Sequence, residues 1–370
     1  MIKYLIAILD KHATSFCYYD NPSYGESKPA FIPLEELETI IDFAVRNKIS
    51  VNFLYGNHKP PASYDERIES VNHIKIMPLK LRPEINDGIF VINTDDLDNI
   101  SRIEDNTHLN LILRLERKKL PEFADIFRSL TGKFKRLNLC LLNIEDYSDD
   151  DLNEYGNQLK KIEAAAADMY KAGNTVEINF ISDRIMLHNM NNCDAGIKHL
   201  TAAPNGKLYL CPGFYFHHEE NSLVATGQDI EIKNSQLLKL SHAPVCRNCD
   251  AYHCKRCVFL NQKTTLELNT PSHQQCVASH LERNTSMRLL DALKPDMELF
   301  QTFTPIPEIP YLDPYEILDD ISNHKIEPVE GEKLISGLLS KPLEKLSTQE
   351  LLYRIYKLDK EFLIRLKNIE

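Results

Sequence analysis

Seven short apolar runs punctuate the first half of this chain, at 4–9, 49–55, 74–77, 88–92, 109–115, 137–142 and 175–181. Amphipathic helical patterns fall between several of them. Short strands alternating with helices predict a parallel sheet built from right-handed βαβ units. About seven such strands point to an α/β fold organised as a barrel or partial (βα) barrel. Two helices are especially legible. Over 33–45, Leu34, Leu37, Ile40, Ile41 and Ala44 recur at helical spacing, with Pro33 tolerated in the first turn. Over 149–172, Leu152, Tyr155, Leu159, Ile162, Ala166 and Met169 form one apolar stripe. Ser148-x-x-Asp151 in front of it resembles a capping box, and Gly173 stands where a C-terminal cap belongs. The segment 79–87 is too proline-interrupted for a full crossover helix.

Charge and hydropathy narrow the partners. A net charge of −11 without a lysine/arginine cluster disfavours nucleic acid, whose backbone rewards a basic face. The N-terminus offers an unbroken run of six apolar residues before Asp10 and Lys11, shorter than a signal peptide needs, and no small-residue cleavage site follows. No apolar run approaches the roughly 18 residues of a membrane span. The expectation is a cytoplasmic protein with neither membrane nor nucleic acid as partner. No internal repeat or low-complexity segment interrupts it.

Cysteine placement carries the chemistry. Cys193, Cys211, Cys246, Cys249, Cys254, Cys257 and Cys276 fall within 84 residues, four of them as Cys246-x2-Cys249-x4-Cys254-x2-Cys257. In a reducing compartment such thiols read as metal ligands rather than cystines. Thiolates suit both zinc and iron–sulfur clusters. Only four residues separate Cys249 from Cys254, cramped for two knuckles closing on one zinc ion. Close cysteines with distant partners are the manner of cubane clusters. Seven thiols are nearly enough for two four-ligand sites and too many for one. Cys140, inside an apolar strand pattern, reads as core packing, and Cys17 as a small half-buried hydrophobe. His217-His218-Glu219-Glu220 reads as a solvated turn.

The order Cys193-x12-Gly206-x4-Cys211, then Cys246-x2-Cys249-x4-Cys254-x2-Cys257, then Cys276 resembles the SPASM domain. That is the auxiliary iron–sulfur module of radical SAM enzymes that modify peptides and proteins. The two inner spacings are each one residue shorter than the usual five and three. The resemblance implies one or two 4Fe-4S clusters, with zinc as the alternative. By position, Cys193, Cys211 and Cys257 hold the first, and Cys246, Cys249, Cys254 and Cys276 the second. The first then lacks a fourth protein ligand, leaving that iron to water, substrate, or a histidine such as His188, His199 or His253. The resemblance further implies a radical-SAM-type, TIM-like partial barrel, whose catalytic cluster is held by CxxxCxxC in the loop after the first strand. That loop reads Ala13-Thr14-Ser15-Phe16-Cys17-Tyr18-Tyr19-Asp20, keeping only the middle cysteine. The place of the glycine-rich motif after the second strand reads Tyr55-Gly56-Asn57-His58-Lys59-Pro60. No reductive cleavage of S-adenosylmethionine by this chain alone is expected.

The first ten residues, Thr14 to Asp20, Ile74-Lys75-Ile76-Met77-Pro78 and the cysteine module are together similar to the CXXX repeat peptide maturase family. That family is associated with small repeat-bearing precursor peptides and a partner modification protein. The implied function is a component of a ribosomally synthesised peptide (RiPP) maturation system. It would bind a Cys-repeat precursor peptide and carry auxiliary clusters without an S-adenosylmethionine-cleaving cluster. Two other readings stand beside it: an active peptide-modifying metalloenzyme using an open auxiliary cluster, and a zinc-stabilised peptide-binding scaffold. The expected domains are a barrel over 1–185, a cysteine-rich module over 186–280 and a helical region over 281–370, with an amphipathic stretch at 347–366.

Overall fold

The computed structural model describes residues 2–104, 108–190, 192–218, 223–225, 230, 232, 234–243, 246–306, 320–331 and 333. The chain forms two compact units: Met1–His242 with Ala251–Ile306, and Ala243–Asp250 with Pro307–Glu370. The stretch 347–366 lies outside the described residues, as do Glu219 and Glu220.

Each of the seven apolar runs is a strand: β1 (Tyr4–Ile8), β2 (Ser50–Leu54), β3 (His73–Pro78), β4 (Ile89–Ile92), β5 (Leu109–Leu115), β6 (Phe134–Leu141) and β7 (Glu177–Ile178). They pair in parallel, each with the next. Three further strands extend the sheet on the far side of β1. They are β8 (His199–Ala202), parallel to β1, then β9 (Leu208–Tyr209) and β10 (Leu223–Ala225), both antiparallel. The order is β10-β9-β8-β1-β2-β3-β4-β5-β6-β7, so the sheet does not close on itself. The β8–β9 turn is set by Gly206 at φ +72, a left-handed backbone that favours glycine.

The helices are α1 (Leu34–Asn47), α2 (Ala62–Ile68), α3 (Phe123–Leu130), α4 (Asp149–Lys171), α5 (Ser182–Met186), α6 (Pro212–Phe216), α7 (Val258–Thr265), α8 (His273–Leu293) and α9 (Glu298–Gln301). α1 buries Leu37, Ile40, Ile41 and Ala44, the stripe its spacing marks out. α4 starts at the expected box: Ser148 Oγ accepts the Asp151 N–H at 3.2 Å, and Asp151 accepts the Ser148 N–H at 2.8 Å. Gly173, at φ +85, follows its end. Between β3 and β4 stands one 3-10 turn, Leu79–Leu81, in place of a crossover helix. Among the described residues no helix is long and apolar enough to cross a membrane.

α8 packs along α4 and carries an ion pair into the core. Lys255 Nζ meets Glu282 Oε1 at 2.7 Å, with both side chains 3% exposed. The Tyr155 hydroxyl donates to the same carboxylate oxygen.

Candidate metal centre

The loop after β1 turns back into the protein, so its backbone polar groups need partners. Side chains supply several. Buried Asp10 accepts N–H bonds from His12 (2.8 Å) and Ala30 (3.2 Å) through Oδ1. Asn21 donates to the carbonyls of Lys11 (3.0 Å) and Ala13 (2.8 Å), while its own N–H bonds Ser15 Oγ at 2.9 Å. Thr14 N–H reaches Tyr55 O at 2.9 Å, tying the loop to the end of β2. The neighbouring Gly56 leaves no room for a side chain: a Cβ there would stand 2.8 Å from Asp10 Oδ2.

This scaffold fixes the three places of the CxxxCxxC pattern. Ala13 is fully buried. Asp20 accepts a 2.6 Å bond from Arg114 of β5, which also donates to Tyr19 O and Asn93 Oδ1. Cys17 lines a hollow, and Cys193, Cys211 and Cys257 line it too.

Four separate stretches deliver these sulfurs. Cys17 comes from the β1 loop, Cys193 precedes β8, Cys211 stands immediately before α6, and Cys257 immediately before α7. Tyr4 and His199 face each other across the β1–β8 register and stack at 4.9 Å, forming part of the wall. The hollow thus reaches the first residues of β1 and β8, whereas sites in such folds usually stand at the strands' carboxyl ends. The lone cysteine of the β1 loop was the residue that sequence patterning did not connect to the others.

Burial governs the thiols. It pushes the Cys193 thiol up to about 12 and raises that of Cys211 as well. Cys193 is nonetheless an exposed residue, as befits a side chain facing a hollow within surrounding protein. Cys257 is raised, first by its hydrogen bond to Cys17 and then by burial. Cys17 moves the other way, held down by that bond from Cys257, with help from Arg114 and Lys255. Backbone amides point at three of the sulfurs: Tyr18 at Cys17, Ala195 at Cys193, Gly213 and Phe214 at Cys211. Such donors, with nearby cations, stabilise thiolates once a metal replaces their protons.

The spacing bears on the choice of metal. Four thiolates on one zinc ion, each about 2.3 Å from it, place their sulfurs roughly 3.8 Å apart and leave no hollow. Among the described residues, no three of these four sulfurs gather within 4.8 Å of one another. Four free thiols spread around a hollow, with amide donors to sulfur, fit an iron–sulfur cluster.

The remaining cysteines divide between the units. In the smaller, Cys246 opens a 3-10 turn and its carbonyl accepts the Cys249 N–H at 3.1 Å. In the larger, Cys254 Sγ accepts the Arg256 N–H at 3.3 Å and the Ser279 hydroxyl at 3.8 Å, and Cys276 lies in the first turn of α8. Of the histidines, His188 is exposed, His253 Nδ1 faces Asp183 at 3.9 Å, and His199 lines the hollow. Cys140 is buried in β6, where burial raises its thiol.

No family model and no curated protein matches this chain. Solved structures do match. Hexahistidine-tagged anSMEcpe with bound AdoMet aligns over 81% of this chain and 97% of its own, with a TM-score of 0.56 at 13% identity. Native anSMEcpe with bound AdoMet and a peptide (Kp18Cys) aligns over 79% and 99%, with a TM-score of 0.54 at 12% identity. The fold is a radical-SAM-type partial barrel. At these identities the likeness concerns architecture. Within the radical-SAM-type barrel of this chain, the β1 loop carries one thiol, and it faces three more from the segment that follows β7.

Proposed function

We propose that this chain is a component of a ribosomally synthesised peptide maturation system. It binds a Cys-repeat precursor peptide and holds auxiliary 4Fe-4S clusters for a partner modification protein, without cleaving S-adenosylmethionine itself. The β1 loop carries this reading. A cluster that chelates S-adenosylmethionine needs three thiolates and one free iron, and here Ala13 is buried and Asp20 is ion-paired to Arg114. The peptide side is supported by the sequence resemblance and by the fold shared with anSMEcpe, which was solved with a bound peptide. Cys193, Cys211 and Cys257 would hold one cluster. A bound cluster supplies one-electron transfer. The protein's part is to bury it, donate backbone N–H groups to its sulfurs and present the peptide. We place this protein in the cytoplasm.

Two measurements test this. Reduced, anaerobically reconstituted protein incubated with S-adenosylmethionine should form no 5′-deoxyadenosine above a protein-free control; steady formation contradicts the reading. A synthetic peptide of Cys-x-x-x repeats should co-purify with the chain, and less of it with Cys246→Ala or Cys276→Ala. Undiminished capture by both variants removes the cysteine module from peptide binding.

A further inference from the structure

The geometry points to Cys17 as the fourth protein ligand of the site formed by Cys193, Cys211 and Cys257, a cluster site shared between the β1 loop and the cysteine-rich segment. This rests on reading the hollow as an iron–sulfur site. Cys17 lines the same hollow as the other three, delivered to it by the loop after β1. The loop that carries it is anchored by Asp10, Ser15 and Asn21, so the sulfur is placed before any cofactor arrives. Such placement lowers the ordering cost of ligation.

His199 is the competing donor, since it also lines the hollow. Its ring is stacked on Tyr4 with an interplanar angle of 21°, which holds it in the wall, while its buried Nδ1 has no hydrogen-bond partner among the described residues, so the two donors are separated by experiment. Charge favours the thiolate as well. A 4Fe-4S cluster on four thiolates is anionic, and Arg114, Lys255 and Arg256 are buried residues that act electrostatically on Cys17 or Cys193. The consequence is a closed coordination sphere. No iron at this site is left for substrate or water, which makes it an electron carrier rather than a Lewis acid.

The test uses the full chain, purified and reconstituted without oxygen, in wild-type form and as Cys17→Ala, Cys17→Ser, His199→Phe and Cys140→Ala. Circular dichroism confirms folding of each. Iron and acid-labile sulfide are measured first. A wild-type chain with zinc and no sulfide overturns the cluster reading itself, before any variant is compared. With iron and sulfide present, the electron paramagnetic resonance of the reduced protein is recorded with and without cyanide, a ligand for open iron. The wild-type, His199→Phe and Cys140→Ala signals of this site should be unmoved by cyanide. Both Cys17 variants should lose that signal or replace it with one that cyanide shifts. Cys17 variants indistinguishable from wild type, or a loss in His199→Phe instead, overturn the assignment.

Discussion

The Lys255–Glu282 pair and the four-thiol hollow lie in the same compact unit, and both put ionisable groups where water is scarce. The pair answers burial from within. Burial pushes the Glu282 carboxyl up, while Lys255 at 2.7 Å and the Tyr155 hydroxyl hold it down. The hollow's internal answer is partial: Arg114 and Lys255 lower Cys17, while the other three thiols stay raised. Burial raises Cys193 and Cys211, and Cys17 and Cys257 share a hydrogen bond that lowers one thiol and raises the other. One region pairs its charges as folded, leaving only Glu282 Oε2 without a partner among the described residues; in our proposal the other is completed by a cofactor that takes the place of protons. The contrast separates structural charge from functional charge.

The largest effect is expected from breaking the pair. Glu282→Leu leaves Lys255 buried opposite an apolar side chain and should cost about 3–5 kcal/mol in denaturant unfolding. The double variant Lys255→Met with Glu282→Leu should recover most of that loss, because two well-packed apolar groups replace two compensated charges. A double variant as unstable as the single one would mean that the pair is not self-contained.

Next comes the floor of the hollow. Gly213 lies against Phe259, and a Cβ there would come within 2.7 Å of the ring. These two residues follow Cys211 and Cys257, so Gly213→Ala should force α6 and α7 apart. The expected loss is about 1–3 kcal/mol, with iron released faster to a chelator. Unchanged release would show that the two thiols are positioned independently of this contact.

Asn21→Ala removes the amide that binds Lys11 O and Ala13 O; Lys11 O keeps the Ser23 hydroxyl, and about 1–3 kcal/mol should follow from the unmet buried Ala13 carbonyl. Its informative readout is iron: looser Cys17 placement should accelerate chelation, while the Lys255–Glu282 region keeps its amide-exchange protection. Equal loss of protection in both regions would contradict their separation. The smallest effect belongs to Ser148→Ala, an exposed cap that touches neither the ion pair nor the four thiols, at about 1 kcal/mol for one helix cap and with no change in iron content.

Legibility followed the range of the interactions. All seven strands from β1 to β7 and the α4 cap were readable, because apolar periodicity and the Ser148/Asp151 box are local. β8 escaped notice. His199–Ala202 is only four residues long, mixes His and Thr with Leu and Ala, and is buried throughout, so no alternation marks it. The role of Cys17 is a long-range matter. Nothing near it signals ligation, and its fellow thiols lie beyond residue 190, brought to it by the pairing of β8 with β1. The available signal was a single cysteine held in the loop that follows the strand at the centre of this pairing, beside a chain otherwise rich in thiols.

The most direct measurement is anomalous diffraction at the iron edge from crystals grown and cooled without oxygen. The account expects a compact iron peak inside the hollow, with density continuing to the sulfurs of Cys17, Cys193, Cys211 and Cys257. A single peak at the zinc edge there, a cystine between any two of these residues, or a Cys17 sulfur turned away from an iron peak would contradict it.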